Sequence, residues 1–173
     1  MSPRANTIET FCAQLQVSRY WEGRWDYHAV AIAMAMGLAA KHVLEIGANE
    51  WGCFNGWGCF QDSVLMGIDM TGLAYLDASK PWAKLADDSF DVVIALQVIE
   101  HMPGAQEVFI AEALRVAPAL ILSVPHEWTH EAGDALHAGI NRALVAQWAQ
   151  RLVEPPVVVG GPSHRRAIYL LRR

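Results

Sequence analysis

The side chains that could bind or react fall in a few short stretches of the chain. Glu45, Gly47, Asn49 and Gly52 form the first. Asp69 follows about 20 residues beyond Gly47, a spacing that puts a carboxylate where a ribose diol would lie. Gln97, Glu100 and His101 come next, and then a histidine-rich stretch holding His126, His130 and His137. Imidazole as a side-chain type titrates between about pH 5 and 8, so such a stretch is the natural place for a general base that takes a proton from a hydroxyl.

These residues need elements to position them. Apolar runs without alternation, as in strands covered on both faces, span His42–Gly47, Ser63–Asp69, Phe90–Leu96 and Ala119–Pro125. A helix is expected after Asn6, with Glu9 at capping-box spacing. A second starts at Asp26 and ends between Gly37 and Lys41, apolar nearly all round and so buried on several sides. A third fills Pro103–Ala117, with Val108, Leu114 and Val116 on one face. A fourth fills Asn141–Leu152, with Leu144, Val145, Trp148 and Leu152 at helical spacing. Val157–Val159, the turn Gly160–Pro162 and Ala167–Leu171 read as an antiparallel hairpin. Strand and helix alternation closed by a hairpin predicts a three-layer α/β sandwich with a mostly parallel, Rossmann-like sheet. In such sheets ligands sit at the carboxyl ends of the strands, where every stretch above falls.

Composition narrows the function classes. The length fits one domain, divided into a helical N-terminal cover (1–40), a core (41–126) and a distal loop, helix and hairpin (127–173). The chain carries 13 Lys and Arg against 18 Asp and Glu, a net charge of −5, which argues against nucleic acid as partner. Its longest apolar run is too short for a membrane span. The start, MSPRANTIETFCAQL, lacks the apolar region of a secretory signal, so a cytoplasmic setting is expected. Cys12, Cys53 and Cys59 are an odd count without CxxC spacing, which disfavours a disulfide framework and a zinc knuckle. A charged fraction of 18% is low. It fits either aromatics walling a cleft or a hydrophobic homodimer face.

The ordered segments VLEIG, GID, LADDSFDVVIALQVIEH and LILSVP resemble the core of class I S-adenosylmethionine-dependent methyltransferases, over roughly residues 41–126. The resemblance implies S-adenosylmethionine as cofactor and methyl transfer as reaction. It implies that Glu45, Gly47, Asn49 and Gly52 lie along the methionine part of the cofactor. Asp69, with Met70 beside it, would meet the ribose, and Asp77 the adenine. Leu96 or Gln97 would lie beside the sulfonium. The family's N-terminal segment often folds over the cofactor, so Trp21, Trp25 or Tyr27 could cover the sulfonium, and Arg24 or Arg19 could meet the carboxylate. Size, charge and fold analogy together suggest a small molecule or a sugar-bearing metabolite as acceptor. Catalytic candidates are His126, His130 and His137, with His101 read first as a loop anchor.

Two departures from the family pattern stand out. The close-set glycines are replaced by Gly47–Ala48–Asn49–Glu50–Trp51–Gly52. Asp69 and Asp77 also lie too close for a crossover helix, which needs a dozen residues or more, so Leu73, Leu76 and Trp82 would wall the adenine pocket. The cluster His126, His130 and His137 with Glu127, Glu131 and Asp134 suits a divalent metal in residue type, but its loop spacing does not, and no metal is expected. Arg165, Arg166, Arg172 and Arg173 read as a solvated edge. Two rivals remain: a nucleotide-dependent oxidoreductase, and a non-catalytic, methyltransferase-like binding or partner subunit.

Overall fold

The computed structural model describes residues 22–47, 64–68, 77–129, 136–161 and 164–173. Helix α1 (Glu22–Gly37) leads into strand β1 (His42–Ile46). Then come β2 (Val64–Ile68), β3 (Val92–Leu96), a 3-10 turn (Ile99–His101), helix α2 (Gln106–Val116) and β4 (Ala119–Pro125). Helix α3 (Arg142–Ala149), β5 (Val157–Val159) and β6 (Arg166–Arg172) complete the chain. The six strands form one sheet in the order β2-β1-β3-β4-β6-β5. The first four run parallel; β6 is antiparallel to both β4 and β5. The expected sandwich with its closing hairpin is therefore the fold observed.

Side chains alternate across this sheet. Val92, Ile94, Ala119, Ile121 and Ile168 pack under α1 with Tyr27, Ala31, Ile32 and Ala35. Val93, Ala95, Leu120, Leu122, Tyr169 and Leu171 face α2 and α3, with Phe109, Ile110, Leu114 and Val145. Both faces are thus covered, which is why the central strand sequences are mostly apolar, without alternation. Asp91 fixes the entry to the parallel pair. Its carboxylate accepts from the Lys41 and His42 backbone N–H groups, each at 2.7 Å, tying the start of β1 to that of β3.

Several expectations need correcting. Helix α1 begins at Glu22 rather than Asp26 and is buried along one side only. Met36, on the side away from the sheet, is exposed. On α2 the buried face is Phe109, Ile110, Ala113, Leu114 and Val116, while Val108 points outward. Leu152 lies beyond α3 and is 94% exposed. That helix stops earlier because Gln150 takes a left-handed conformation, and it starts where the Asn141 side chain accepts from the Leu144 N–H. The helix expected after Asn6 lies outside the described residues.

Among the described residues no helix lies between β2 and β3. Residues 77–91 form turns held from the side by α2. Arg115 donates to the Trp82 and Leu85 carbonyls and to Asp87 and Glu112, and Glu112 accepts from the Trp82 N–H at 2.7 Å. Trp82 is fully buried, with its ring edge-on to Phe109 at 5.5 Å. It is therefore core under α2 and not the wall of an adenine pocket.

Candidate functional site

Strand order reverses at β1, with β2 on one side and β3 on the other, so the crevice of this sheet opens at the carboxyl ends of β1 and β3. Gly47 stands there with φ +72°, and a Cβ on it would meet Val98 Cγ2 at 2.5 Å. Glycine is required here by backbone conformation and by the neighbouring chain, a reason independent of any ligand. Glu45 is buried at 4% in β1, on the α1 side of the sheet. Across the crevice, Gln97 leaves β3 with φ +58°. Its Nε2 donates to the Ser123 hydroxyl at 2.7 Å and its backbone N–H to the Ser123 carbonyl at 2.9 Å. This joins the ends of β3 and β4. Leu96 is only partly buried beside it.

Asp77 is committed locally. Its carboxylate accepts from the Ser79 N–H and hydroxyl and pairs with Lys80 at 2.5 Å. These partners hold its pKa down to about 2. Arg24 lies in the first turn of α1, within electrostatic reach of His28 and Arg166. Tyr27 is 1% exposed within the core under α1, which removes it as a cover for the crevice. Trp21, Asn49, Gly52, Asp69, Met70 and His130 lie outside the described residues.

His101 and His137 converge through a fold-back of the chain after β4. The Glu127 N–H donates to the Ile140 carbonyl at 2.8 Å, the Gly139 N–H donates to the Trp128 carbonyl at 2.9 Å, and Trp128 bridges to Ala138. This carries His137 back across Trp128, with ring centroids 5.8 Å apart, to stand edge-on to His101 at 4.9 Å. Ligand-capable atoms of Glu100, His101 and His137 all lie within 4.8 Å of one another.

Glu100, which the sequence marked only by its place beside His101, is the most unusual side chain of this region. It is 2% exposed, and neither carboxylate oxygen has a hydrogen-bond partner among the described residues. Burial pushes its pKa up to about 7, since desolvation penalises the charged form. Arg166, expected on a solvated edge, belongs here instead. The β4–β6 register sets it opposite Pro125, and its guanidinium lies 4.1 Å over the Trp128 ring. Its buried Nε has no partner among the described residues, and desolvation lowers its pKa. His126, just past β4, is mostly buried; its backbone N–H donates to the Arg165 carbonyl, and its Nδ1 has no partner among the described residues.

The ends of β3, β4 and β6 therefore gather a carboxylate, three imidazoles, a guanidinium and an indole beside the crevice. The sequence pointed to His101, His126 and His137. It gave no sign that Glu100 is buried or that Arg166 turns inward, because both depend on strand register.

No family model and no curated protein matches the sequence. Solved structures do match in fold. A 1,6-didemethyltoxoflavin-N1-methyltransferase from Burkholderia thailandensis, solved with bound 1,6-didemethyltoxoflavin and S-adenosylhomocysteine, aligns at TM-score 0.65 and 15% identity, over 95% of this chain and 88% of that one. A SAM-dependent methyltransferase from Aquifex aeolicus aligns at 0.57 and 13% identity, over 81% and 88%. The N-terminal domain of EvdMO1, solved with SAH and D-fucose, aligns at 0.61 and 14% identity, over 85% and 82%. The chain has the Rossmann-like fold of the S-adenosylmethionine-dependent methyltransferases.

Proposed function

We propose that this protein is an S-adenosylmethionine-dependent methyltransferase acting on a small-molecule or sugar-bearing acceptor. The observation that carries the proposal is the set of polar side chains beside the β1–β3 crevice of a methyltransferase fold. Gly47 and Gln97 flank that crevice, and the imidazoles of His101, His126 and His137, beyond the ends of β3 and β4, support an acceptor side there. The methionine part of the cofactor runs past Glu45, Gly47, Asn49 and Gly52. Asp69 holds the ribose, with Met70 next to it. Asp77 reaches the adenine only by giving up its turn, so it contributes little. Leu96 and Gln97 line the sulfonium end, while Arg24 and Trp21 close over the cofactor from the N-terminal side.

The cofactor supplies an activated methyl group, so the protein chiefly positions the acceptor and excludes water. His126 receives the acceptor proton, and His130 and His137 belong to the loop that shapes the acceptor pocket.

Calorimetry with S-adenosylhomocysteine tests the reading. The wild type is expected to bind, and Asp69→Ala to bind at least about tenfold more weakly, as loss of a charge-assisted hydrogen bond dictates. Methyl transfer from labelled S-adenosylmethionine to a panel of hydroxylated metabolites and sugars should follow. No binding would favour a partner subunit, and stabilisation by NAD alone would favour an oxidoreductase.

A further inference from the structure

We infer that Glu100, His101 and His137 form a site for a divalent transition-metal ion of the Zn2+ type, which holds the acceptor's hydroxyl oxygen. The inference rests on the methyltransferase reading for its role but not for its geometry. The donor atoms lie within 4.8 Å of one another. Around an ion with bonds of about 2.1 Å, donors stand roughly 3–4 Å apart, so small side-chain rotations close the set. Glu100 is the stronger part of the argument. A carboxylate that is 2% exposed, with neither oxygen hydrogen-bonded among the described residues, is costly in a protein interior. A divalent cation compensates its charge, and two imidazoles beside it complete a recognised catalytic donor set.

Two imidazoles and one carboxylate favour a borderline-soft ion over Mg2+ or Ca2+, which prefer all-oxygen shells. The site also differs from the histidine loop cluster that the sequence suggested. It takes His137 from that loop, but its other two donors come from the 3-10 turn after β3. Three protein donors leave a position for a fourth ligand. With the acceptor hydroxyl in that position, its O–H bond becomes more acidic. The proton passes to His126, the oxygen lone pair forms the O–CH3 bond, and the S–CH3 bond breaks with its electron pair left on sulfur. Neutral S-adenosylhomocysteine is released and the metal is unchanged.

The test is calorimetric titration of Zn2+ into the full chain, freed of any affinity tag and stripped with chelator. Parallel titrations use Glu100→Gln, His101→Ala and His137→Ala. One Zn2+ per chain is expected, with affinity falling about tenfold or more in each variant and Mg2+ binding much more weakly. S-adenosylhomocysteine binding is measured on the same samples and should persist, which shows that each variant is folded. Because His137 is partly exposed, its replacement leaves the core intact should Glu100→Gln fail to fold. Equal zinc affinity in wild type and His137→Ala, or Mg2+ binding as tightly as Zn2+, would overturn the site. Absence of S-adenosylhomocysteine binding with zinc binding intact would instead overturn the methyltransferase role and leave the metal site standing.

Discussion

Gly47 shows how a residue can be fixed by two demands at once. Its φ of +72° lies in the region that side chains rarely adopt, and the Cβ direction is occupied by Val98. Gly47→Ala should cost about 1–3 kcal/mol from backbone strain alone, with a further cost from the collision. Adding Val98→Ala should recover the collision part and not the strain. Urea denaturation of the single and double variants checks this: full recovery in the double variant would mean that φ carries no penalty. At the same scale the polar side chains divide by what they already hold. Gln97 and Asp77 have committed partners within the chain, whereas Glu100 and Arg166 keep buried polar atoms without one among the described residues. The glycine was legible from its place at a strand end. The burial of Glu100 was not, because Ile99, Glu100 and His101 occupy a single 3-10 turn whose inward side is set by packing against the strands.

The central elements follow closely from their sequences. Four apolar runs became β1 to β4, and in β1, β3 and β4 burial on both faces leaves little room for polar alternation. The helices were less legible. The buried face of α2 includes Phe109 and Ala113, which a count of aliphatic positions passes over, and it excludes Val108. Trp82 shows the same limit. It stands in a turn, where an aromatic suggests a pocket, yet it is folded under α2 by the Glu112–Arg115 pair. Trp82→Ala should therefore cost about 3–5 kcal/mol, while Leu152→Ser should stay within about 0.5 kcal/mol. Thermal melts of the two variants separate the readings. A Trp82→Ala protein as stable as wild type, with weakened cofactor binding, would restore the pocket-wall role.

At the scale of the whole molecule, α1 closes one face of the sheet and brings a titratable group into that layer. Burial, aided by the Arg24 guanidinium, holds the His28 imidazole down to about 4. In the unfolded chain histidine titrates near 6.5. Between these pH values the unfolded state takes up a proton that the folded state refuses. Stability should therefore fall as pH drops through this window, by up to about 3 kcal/mol, and be level above it. The stability difference between wild type and His28→Gln isolates the effect, because Glu100, pushed up to about 7, acts in the opposite sense. Urea midpoints between pH 7.5 and pH 4.5 give the measurement, and a difference that does not change with pH would contradict the assignment.

By itself the sequence determined the layered fold, the order of strands and helices, and the strand ends at which chemistry could occur. These depend on local patterns: apolar runs, turn residues and the spacing between them. Only the tertiary structure decided which side chains meet there. His101 and His137 become neighbours through backbone hydrogen bonds that fold the loop back along Trp128, and Arg166 turns inward because antiparallel pairing sets it opposite Pro125. Pairings between distant segments follow from register and burial, and no local pattern in the chain encodes either one.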